Sequence, residues 1–218
     1  MTKSRIGLIR VLTTDDPEIL GLHGKAIMEA FPDLEVITRC IPDQPQGVFD
    51  DETEQQAWPK VVALAKEMVQ EDDLKAMVIS CAADPGVCQT REVLTIPVIG
   101  AGSAAAHAAL ALGTSIAALG ITADVPLAMA SVLGSALVAA GKPAGVQTTL
   151  DLMKPSGQRA VLEAAAELMA KGAKVLALAC TGMTTIGAAQ VIRQKLGIKV
   201  VDPVIASGLF AWYATKEF

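Results

Sequence analysis

Residues 74–86, LKAMVISCAADPG, and residues 173–185, AKVLALACTGMTT, are two versions of one pattern that decides the fold. In each version an apolar run of strand type ends at a cysteine, and residues that favour a helix start follow. A second pair of strand-like segments, LTIPVIG at 94–100 and LGIKVVD at 196–202, repeats at nearly the same offset. Because both pairs of segments repeat after nearly the same number of residues, we interpret the chain as two related halves.

Strand-like runs alternate with helical patterns along the chain, which is typical of a parallel α/β sheet. The predicted strands begin near residues 6, 34, 76, 96, 115, 174 and 198. The predicted helices span residues 17–31, 55–70, 85–93, 103–112, 126–141, 156–171 and 185–196. We therefore predict an α/β fold of two similar lobes, each with a mainly parallel sheet flanked by helices, and a shared cleft between them.

The boundary between the lobes is expected near residues 98–102. On this division, residues 1–98 form an N-terminal α/β lobe and residues 99–204 form a C-terminal α/β lobe. The tail, residues 205–218, is expected to fold back as a helix and can complete the N-terminal lobe.

The composition excludes several classes of protein. With 52% hydrophobic and 19% charged residues, the chain is globular and not disordered. A net charge of −5 and 3% aromatic residues provide no basic stripe or stacking surface for nucleic acid. Arg10 interrupts the apolar run at the start of the sequence, so this run predicts a strand and not a secretory signal. Residues 93–123 carry no charge but contain residues that break a helix, such as Pro97, so we expect no membrane span. We expect a cytoplasmic protein with reduced cysteines.

Two of the four cysteines lie where an α/β sheet binds its ligands, beyond the carboxyl ends of strands and beside helix N-termini. These are Cys81 and Cys180, and this setting is expected to lower the pKa of a thiol. One thiol on each side of a cleft fits removal of a proton from one face of a carbon acid and delivery of another to the opposite face. The sulfurs would then stand about 6 to 7 Å apart, too far for a disulfide. The pair predicts racemisation or epimerisation, whereas Cys40 and Cys88 are expected to serve packing.

Several polar residues at strand ends are candidates for substrate binding. Thr13, Thr14 and Thr122 end the first strands of the two lobes and can direct hydroxyls into the cleft. Thr181 and Gly182 form a turn whose backbone N–H groups can hold a developing enolate oxygen.

Asp84 has two candidate roles. The first is to cap a helix that begins at Pro85, and the second is to contact the substrate. His23 and His107 each fall within a helical pattern without an acidic or serine partner at motif spacing, so we expect both to be structural. The cysteine spacings match no zinc pattern, and we predict no metal site.

The segments around both cysteines resemble the aspartate/glutamate/hydantoin racemase superfamily, and most closely its hydantoin racemase branch. The resemblance lies in VISCAADPG at 78–86, LACTGM at 178–183, QGVFDDETE at 46–54 and PVIGAGSAAAHAAL at 97–110. It implies a pseudo-twofold fold, a homo-oligomer, no cofactor, and a two-base mechanism with Cys81 and Cys180 as the acid and base. Gly86, in the first of these motifs, joins the candidates for substrate binding.

The sequence departs from the amino-acid racemases of that superfamily at both cysteines. Ala82 and Ala83 follow Cys81 where those enzymes carry Asn-Thr, and Gly182 stands where they carry His. Both differences favour a small-molecule substrate of the hydantoin type, a 5-substituted hydantoin or an amino-acid derivative. The alternatives on the same scaffold are an aspartate or glutamate racemase and a maleate-type isomerase.

Two less favoured interpretations belong to other classes. IPVIGAGSAA at 96–105 contains G-x-G-x-x-A between a strand and a helix, with Asp124 about twenty residues further on, as in an NAD-binding oxidoreductase. Its position in the middle of the chain argues against that function. A module that binds a small acid between its lobes without catalysis is also compatible with the fold, but it has no need of matched thiols.

Overall fold

The structure, a computed structural model, describes residues 3–216. The first two residues of the predicted N-terminal lobe and the last two of the predicted tail therefore lie outside the described residues. The first sheet is formed by β1 (Ser4–Arg10), β2 (Leu34–Cys40), β3 (Met77–Ser80) and β4 (Val98–Gly100). The second is formed by β5 (Ile116–Gly120), β6 (Leu137–Gly141), β7 (Val175–Ala179) and β8 (Lys199–Val201).

Both sheets are parallel, and their strand orders correspond, β2-β1-β3-β4 in the first and β6-β5-β7-β8 in the second. The two segments that carry the repeated cysteine pattern become β3 and β7, which occupy the same position in their sheets. The prediction of an α/β fold with two similar lobes is confirmed.

Helices cover both faces of each sheet. They are α1 (Pro17–Ala30), α2 (Asp51–Glu71), α3 (Val87–Val93), α4 (Ala101–Leu112), α5 (Leu127–Leu133), α6 (Thr149–Leu152), α7 (Pro155–Ala170), α8 (Gly182–Thr185), α9 (Ala188–Leu196) and α10 (Pro203–Ala214). Local signals explain several of their starts: Asp16 accepts hydrogen bonds from two backbone N–H groups at the start of α1, and Asp50 and Thr53 form a capping box on α2. Within residues 3–216, no helix has the length and apolar character needed to cross a membrane.

The first sheet has a separate apolar core on each face. On one face, Ile9 of β1 lies in a buried cluster with Met68 of α2. On the other face, Leu8 packs with Ile27 of α1 and Val204 of α10. Because neighbouring residues of a strand point to opposite faces, one continuous apolar run in β1 supplies both cores.

The second sheet is built in the same way. Leu176 packs with Leu168 of α7 and with α9 on one face. Ala177 packs with Ala105 of α4 and with α5 on the other. The last helix, α10, lies against α4 but also contacts α1 and β3 of the first sheet. Its small residue Gly208 lies against Ile27 of α1, so this helix packs on the lobe that contains the first sheet.

One predicted helix, residues 126–141, is wrong. The helix ends at Leu133, a short 3₁₀ turn follows at Gly134–Ala136, and Leu137–Gly141 forms the edge strand β6. Gly134 takes a φ of 49°, in the left-handed region that stops a helix. The remaining predicted helices are present, with ends displaced by a few residues. The helix predicted over 185–196 begins at Ala188 as α9, and the short helix α8 precedes it.

Candidate active site

A cavity of about 840 Å³ lies between the two lobes, at the carboxyl ends of the central strands. Its lining includes the segments that follow β1, β3, β5 and β7, together with the N-terminal part of α2 and the residues before α5. Both sheets therefore direct the ends of their central strands into one space, as the repeated pattern predicts.

Cys81 and Cys180 both line this cavity. Each is the residue directly after its strand, β3 or β7, and each is a free thiol with 7% of its surface exposed. The structure thus brings the two predicted thiols together in one site.

The expectation that helix N-termini lower the pKa of both thiols is wrong. Burial raises the pKa of Cys81, and the nearby charges of Cys180, Asp84 and Glu54 raise it further, against one opposing hydrogen bond from the Ala83 backbone. Desolvation outweighs the backbone dipoles here because the sulfur is almost completely enclosed. Burial therefore favours the thiol form of Cys81.

Cys180 has the better surroundings for a thiolate. Burial raises its pKa as well, but hydrogen bonds from the backbone of Gly182, the hydroxyl of Thr149 and the backbone of Met183 oppose the rise. Donors beside the sulfur stabilise its negative charge. The Gly182 N–H therefore favours negative charge on the Cys180 sulfur, while the Met183 N–H also donates to the Cys180 carbonyl at 3.1 Å.

Thr13 and Thr14 do not line the cavity. The Thr13 hydroxyl donates to the carbonyl of Ile41 at 2.7 Å and accepts from the N–H of Gln44 at 2.7 Å. The Thr14 hydroxyl accepts from the N–H of Asp16 at 3.2 Å. Both threonines hold the loops after β1 and β2.

The other strand-end candidates, Thr122, Thr181 and Gly182, line the cavity. The Thr122 hydroxyl donates to the carbonyl of Asp124 at 2.6 Å, which shapes the loop at the cavity mouth. The Thr181 hydroxyl donates to the carbonyl of Ser80 at 3.2 Å.

Asp84 and Gly86 lie outside the lining, and the expected helix start at Pro85 is wrong. The helix α3 begins at Val87, after Gly86 with a φ of 72°. The Asp84 carboxylate instead accepts hydrogen bonds from the N–H groups of Gly102, at 2.7 Å, and Ser103, at 2.9 Å. Asp84 therefore caps α4, a helix far from it in sequence, and burial raises the pKa of its carboxyl.

This cap also explains the glycines of the G-x-G-x-x-A pattern. A Cβ on Gly100 would overlap the Asp84 carboxylate, and a Cβ on Gly102 would overlap the carbonyl oxygen of Ala82. The glycines permit close packing of the loop after β3, and Asp84 fills the helix N-terminus where a dinucleotide would place its pyrophosphate. The pattern therefore has a packing function that opposes NAD binding here.

Several cavity residues were not singled out from the sequence. Arg10 is 3% exposed, and it is the one basic residue among the described residues of the lining. Glu54 also lines the cavity, and burial raises its pKa. Arg10 interrupts an apolar strand, which is a signal that could have pointed to it. No feature of the sequence indicated Thr149 as a cavity residue, because its short helix α6 was not predicted.

Apolar side chains form part of the cavity wall. Phe49 and Trp58 contribute from the side of α2, and Leu127, 82% exposed, contributes from the start of α5. Within residues 3–216, no group of three or more histidine, cysteine, aspartate or glutamate side chains is placed to hold a metal ion.

Comparisons with known proteins identify a matching family and solved structures of similar fold. A family model described as Asp/Glu/Hydantoin racemase matches residues 24–207. A hydantoin racemase from Pseudomonas sp. (strain NS671) is 24% identical over 204 residues, which cover 88% of this chain and 78% of that protein. The allantoin racemase structure from Klebsiella pneumoniae has a TM-score of 0.83 at 24% identity, covering 96% of this chain and 86% of that one. That of Pseudomonas fluorescens has a TM-score of 0.78 at 23% identity, covering 95% and 88%.

Proposed function

The chain belongs to the Asp/Glu/hydantoin racemase family, and we propose that it racemises a 5-substituted hydantoin by proton transfer between Cys81, Cys180 and the ring carbon that carries the substituent. The observation that carries this proposal is the pair of free, buried cysteines at equivalent strand ends of two lobes, both in the lining of one cavity. The carbon between a ring nitrogen and a carbonyl carries an acidic hydrogen, which a thiolate can remove when the resulting enolate is stabilised.

The surroundings of the two sulfurs support Cys180 as the base of the resting enzyme. Its thiolate removes the ring proton, so that the C–H bond breaks, an S–H bond forms, and the electron pair moves to the carbonyl oxygen. The Cys81 thiol then delivers its proton to the opposite face of the same carbon. Cys81 ends as the thiolate and Cys180 as the thiol, and the opposite enantiomer reacts by the reverse sequence.

The mutual influence of the two sulfurs opposes negative charge on both at once. Charge on Cys180 raises the pKa of Cys81, so the site resists holding two thiolates at once. One thiolate and one thiol is the combination that can take a proton on one face and supply one on the other.

The charges in the cavity favour a neutral substrate over a dicarboxylic amino acid. Acidic side chains outnumber the single basic residue in the described lining; they are Asp50, Asp51, Glu52, Glu54 and Asp124. A second carboxylate on the substrate would be repelled by this set. Ala82 and Ala83 also offer no side-chain donors for a carboxylate. The apolar wall of Phe49, Trp58 and Leu127 suits a hydantoin with a large apolar substituent.

A panel of enantiomerically pure substrates tests this function. We expect 5-benzylhydantoin to lose its optical rotation faster than 5-methylhydantoin, above the rate in buffer alone, with deuterium entering at the ring carbon in D₂O. Aspartate, glutamate and maleate, followed by polarimetry and NMR, should remain unchanged. Turnover of one of these acids with none of the hydantoins would contradict the proposed substrate class, and binding without turnover would favour the non-catalytic module.

A further inference from the structure

His23 connects the two lobes behind the cavity. It lies on α1, it is 1% exposed, and both of its ring nitrogens have partners. Nδ1 is 2.9 Å from the hydroxyl of Ser80, and Nε2 is 3.1 Å from the hydroxyl of Thr185. Ser80 directly precedes Cys81, and Thr185 ends the short helix α8 that begins two residues after Cys180. The imidazole therefore joins the segments that carry the two thiols.

A second, direct hydrogen bond links the same two segments. The Thr181 hydroxyl donates to the carbonyl of Ser80 at 3.2 Å. Ser80 is thus held through its side chain by His23 and through its backbone by Thr181, the residue next to Cys180. Because both residues adjacent to the thiols take part, Cys81 cannot move away from Cys180 without the loss of at least one buried hydrogen bond.

Both contacts fit a neutral imidazole, which can donate from one ring nitrogen and accept at the other. Burial lowers the pKa of His23 well below its usual value, and the positive charge of the buried Arg10 lowers it further, against the Thr181 backbone. Ser80 and Thr185 carry hydroxyls, which can serve as donor or acceptor as the tautomer demands.

From these contacts we infer that His23 is a positioning residue, which fixes the separation of the Cys81 and Cys180 sulfurs by tying Ser80 to Thr185 across the lobe interface. This inference rests on the two-thiol function proposed above. Transfer of a proton on each face of one carbon requires both sulfurs at bonding range of that carbon, and an error of about 1 Å in such a geometry can lower the rate about 100-fold.

The test compares His23→Leu with His107→Leu, the same change at the exposed histidine of α4, which lies outside the cavity lining. We expect His23→Leu to lower kcat for 5-benzylhydantoin about 100-fold with little change in KM, while His107→Leu matches the wild type. His23→Gln, which keeps a donor and an acceptor, should restore part of kcat.

A measurement that needs no substrate separates this inference from the proposed function. In a Cys40→Ser, Cys88→Ser background, dibromobimane becomes fluorescent once both of its arms have alkylated thiols, and here it can bridge only Cys81 and Cys180. We expect the yield of the bridged product to fall severalfold in His23→Leu. If the wild type racemises no substrate but the yield still depends on His23, the proposed function fails and the positioning role stands.

Two smaller changes cover the case in which His23→Leu does not fold. Ser80→Ala and Thr185→Val each remove one partner of the imidazole and keep most of the buried volume, and each should lower both kcat and the bridging yield. A folded variant at His23, Ser80 or Thr185 that keeps the wild-type kcat and bridging yield would overturn the inference. A fall in kcat with an unchanged bridging yield would overturn it as well.

Discussion

At the scale of single residues, the two thiols differ in the groups that surround them. Burial raises the pKa of both thiols. Gly182, Thr149 and Met183 oppose that rise at Cys180, whereas only the Ala83 backbone opposes it at Cys81, which also faces negative charges. Gly182 leaves room for the Thr149 side chain, because a Cβ at that position would lie 2.5 Å from the methyl carbon of Thr149. The absence of a side chain at Gly182 allows Thr149 to approach the sulfur of Cys180.

Thr149 provides a test of this asymmetry. Thr149→Val removes the hydroxyl but keeps the shape of the side chain, so the Cys180 thiolate loses a hydrogen bond. A bond to a charged group contributes about 1.5 to 3 kcal/mol, so we expect kcat/KM to fall about 10- to 100-fold. The measurement is steady-state racemisation of 5-benzylhydantoin, with Thr149→Ser as the matched control that keeps the hydroxyl. Equal activity of the valine and serine variants would contradict this role.

At the scale of elements, the loop after β3 is held by a contact between distant parts of the chain. Asp84 caps α4, and Gly100 and Gly102 leave room for its carboxylate and for the Ala82 carbonyl. The loop that carries Cys81 is therefore braced against the helix that opens the second lobe.

Gly102→Ala should disturb the packing of the loop after β3 against α4. The new methyl group would overlap the Ala82 carbonyl, and we expect a loss of about 2 to 3 kcal/mol in the free energy of unfolding, measured by urea denaturation. Gly21→Ala is the control, because a Cβ at that helical position meets nothing within 4 Å. Removing a helix-interior glycine there should stabilise the protein by about 0.5 to 1 kcal/mol. If both alanine variants were equally stable, close packing would not explain Gly102.

The elements that the sequence predicted well are those with a strong local or repeated signal. The central strands β3 and β7 are continuous apolar runs, so their type and equivalent positions could be predicted. The edge strand β6 could not, because its alanine-rich residues also suit a helix, and only the turn at Gly134 and pairing with β5 make it a strand. The contact of Asp84 with α4 could not be predicted either, because this side chain is suited to cap the next helix, α3, but caps the more distant α4.

The site, like the fold, could be predicted only where the sequence carries a strong local or repeated signal. The positions of Cys81 and Cys180 in one cavity follow from the internal repeat, which two strand segments support independently. The protonation of the thiols does not follow from it, because burial is a property of the folded chain and here it outweighs the helix N-termini. The prediction that threonine hydroxyls after β1 face the cavity was also wrong, because the Thr13 hydroxyl bonds to the backbone of the loop after β2.

At the scale of the whole molecule, two sheets of corresponding topology are joined by α4 against α10 and by the buried bridge at His23. A buried neutral histidine at this junction makes stability depend on pH. Its pKa is lowered on folding, so below about pH 6.5 the unfolded chain binds a proton that the folded chain does not. The contribution of His23 to stability is therefore present above that pH and decreases as the pH falls.

We expect this loss to reach about 1.4 kcal/mol per pH unit below pH 6.5. Asp84 and Asp202, whose pKa values are raised by burial, act in the opposite direction as the pH falls further, so the wild type alone does not isolate His23. The difference in unfolding free energy between the wild type and His23→Gln does, measured by urea denaturation from pH 8 to pH 5. A difference that stays constant over that range would show that His23 is not held neutral by the fold.

The two-thiol mechanism is tested most directly by following each enantiomer of 5-benzylhydantoin in D₂O with the wild type, Cys81→Ser and Cys180→Ser. Optical rotation reports inversion, and NMR reports exchange of the ring hydrogen. Because each direction of the reaction needs one sulfur as base and the other as acid, we predict that racemisation is lost in both serine variants while the fold is retained. Full racemisation by either variant would contradict the mechanism.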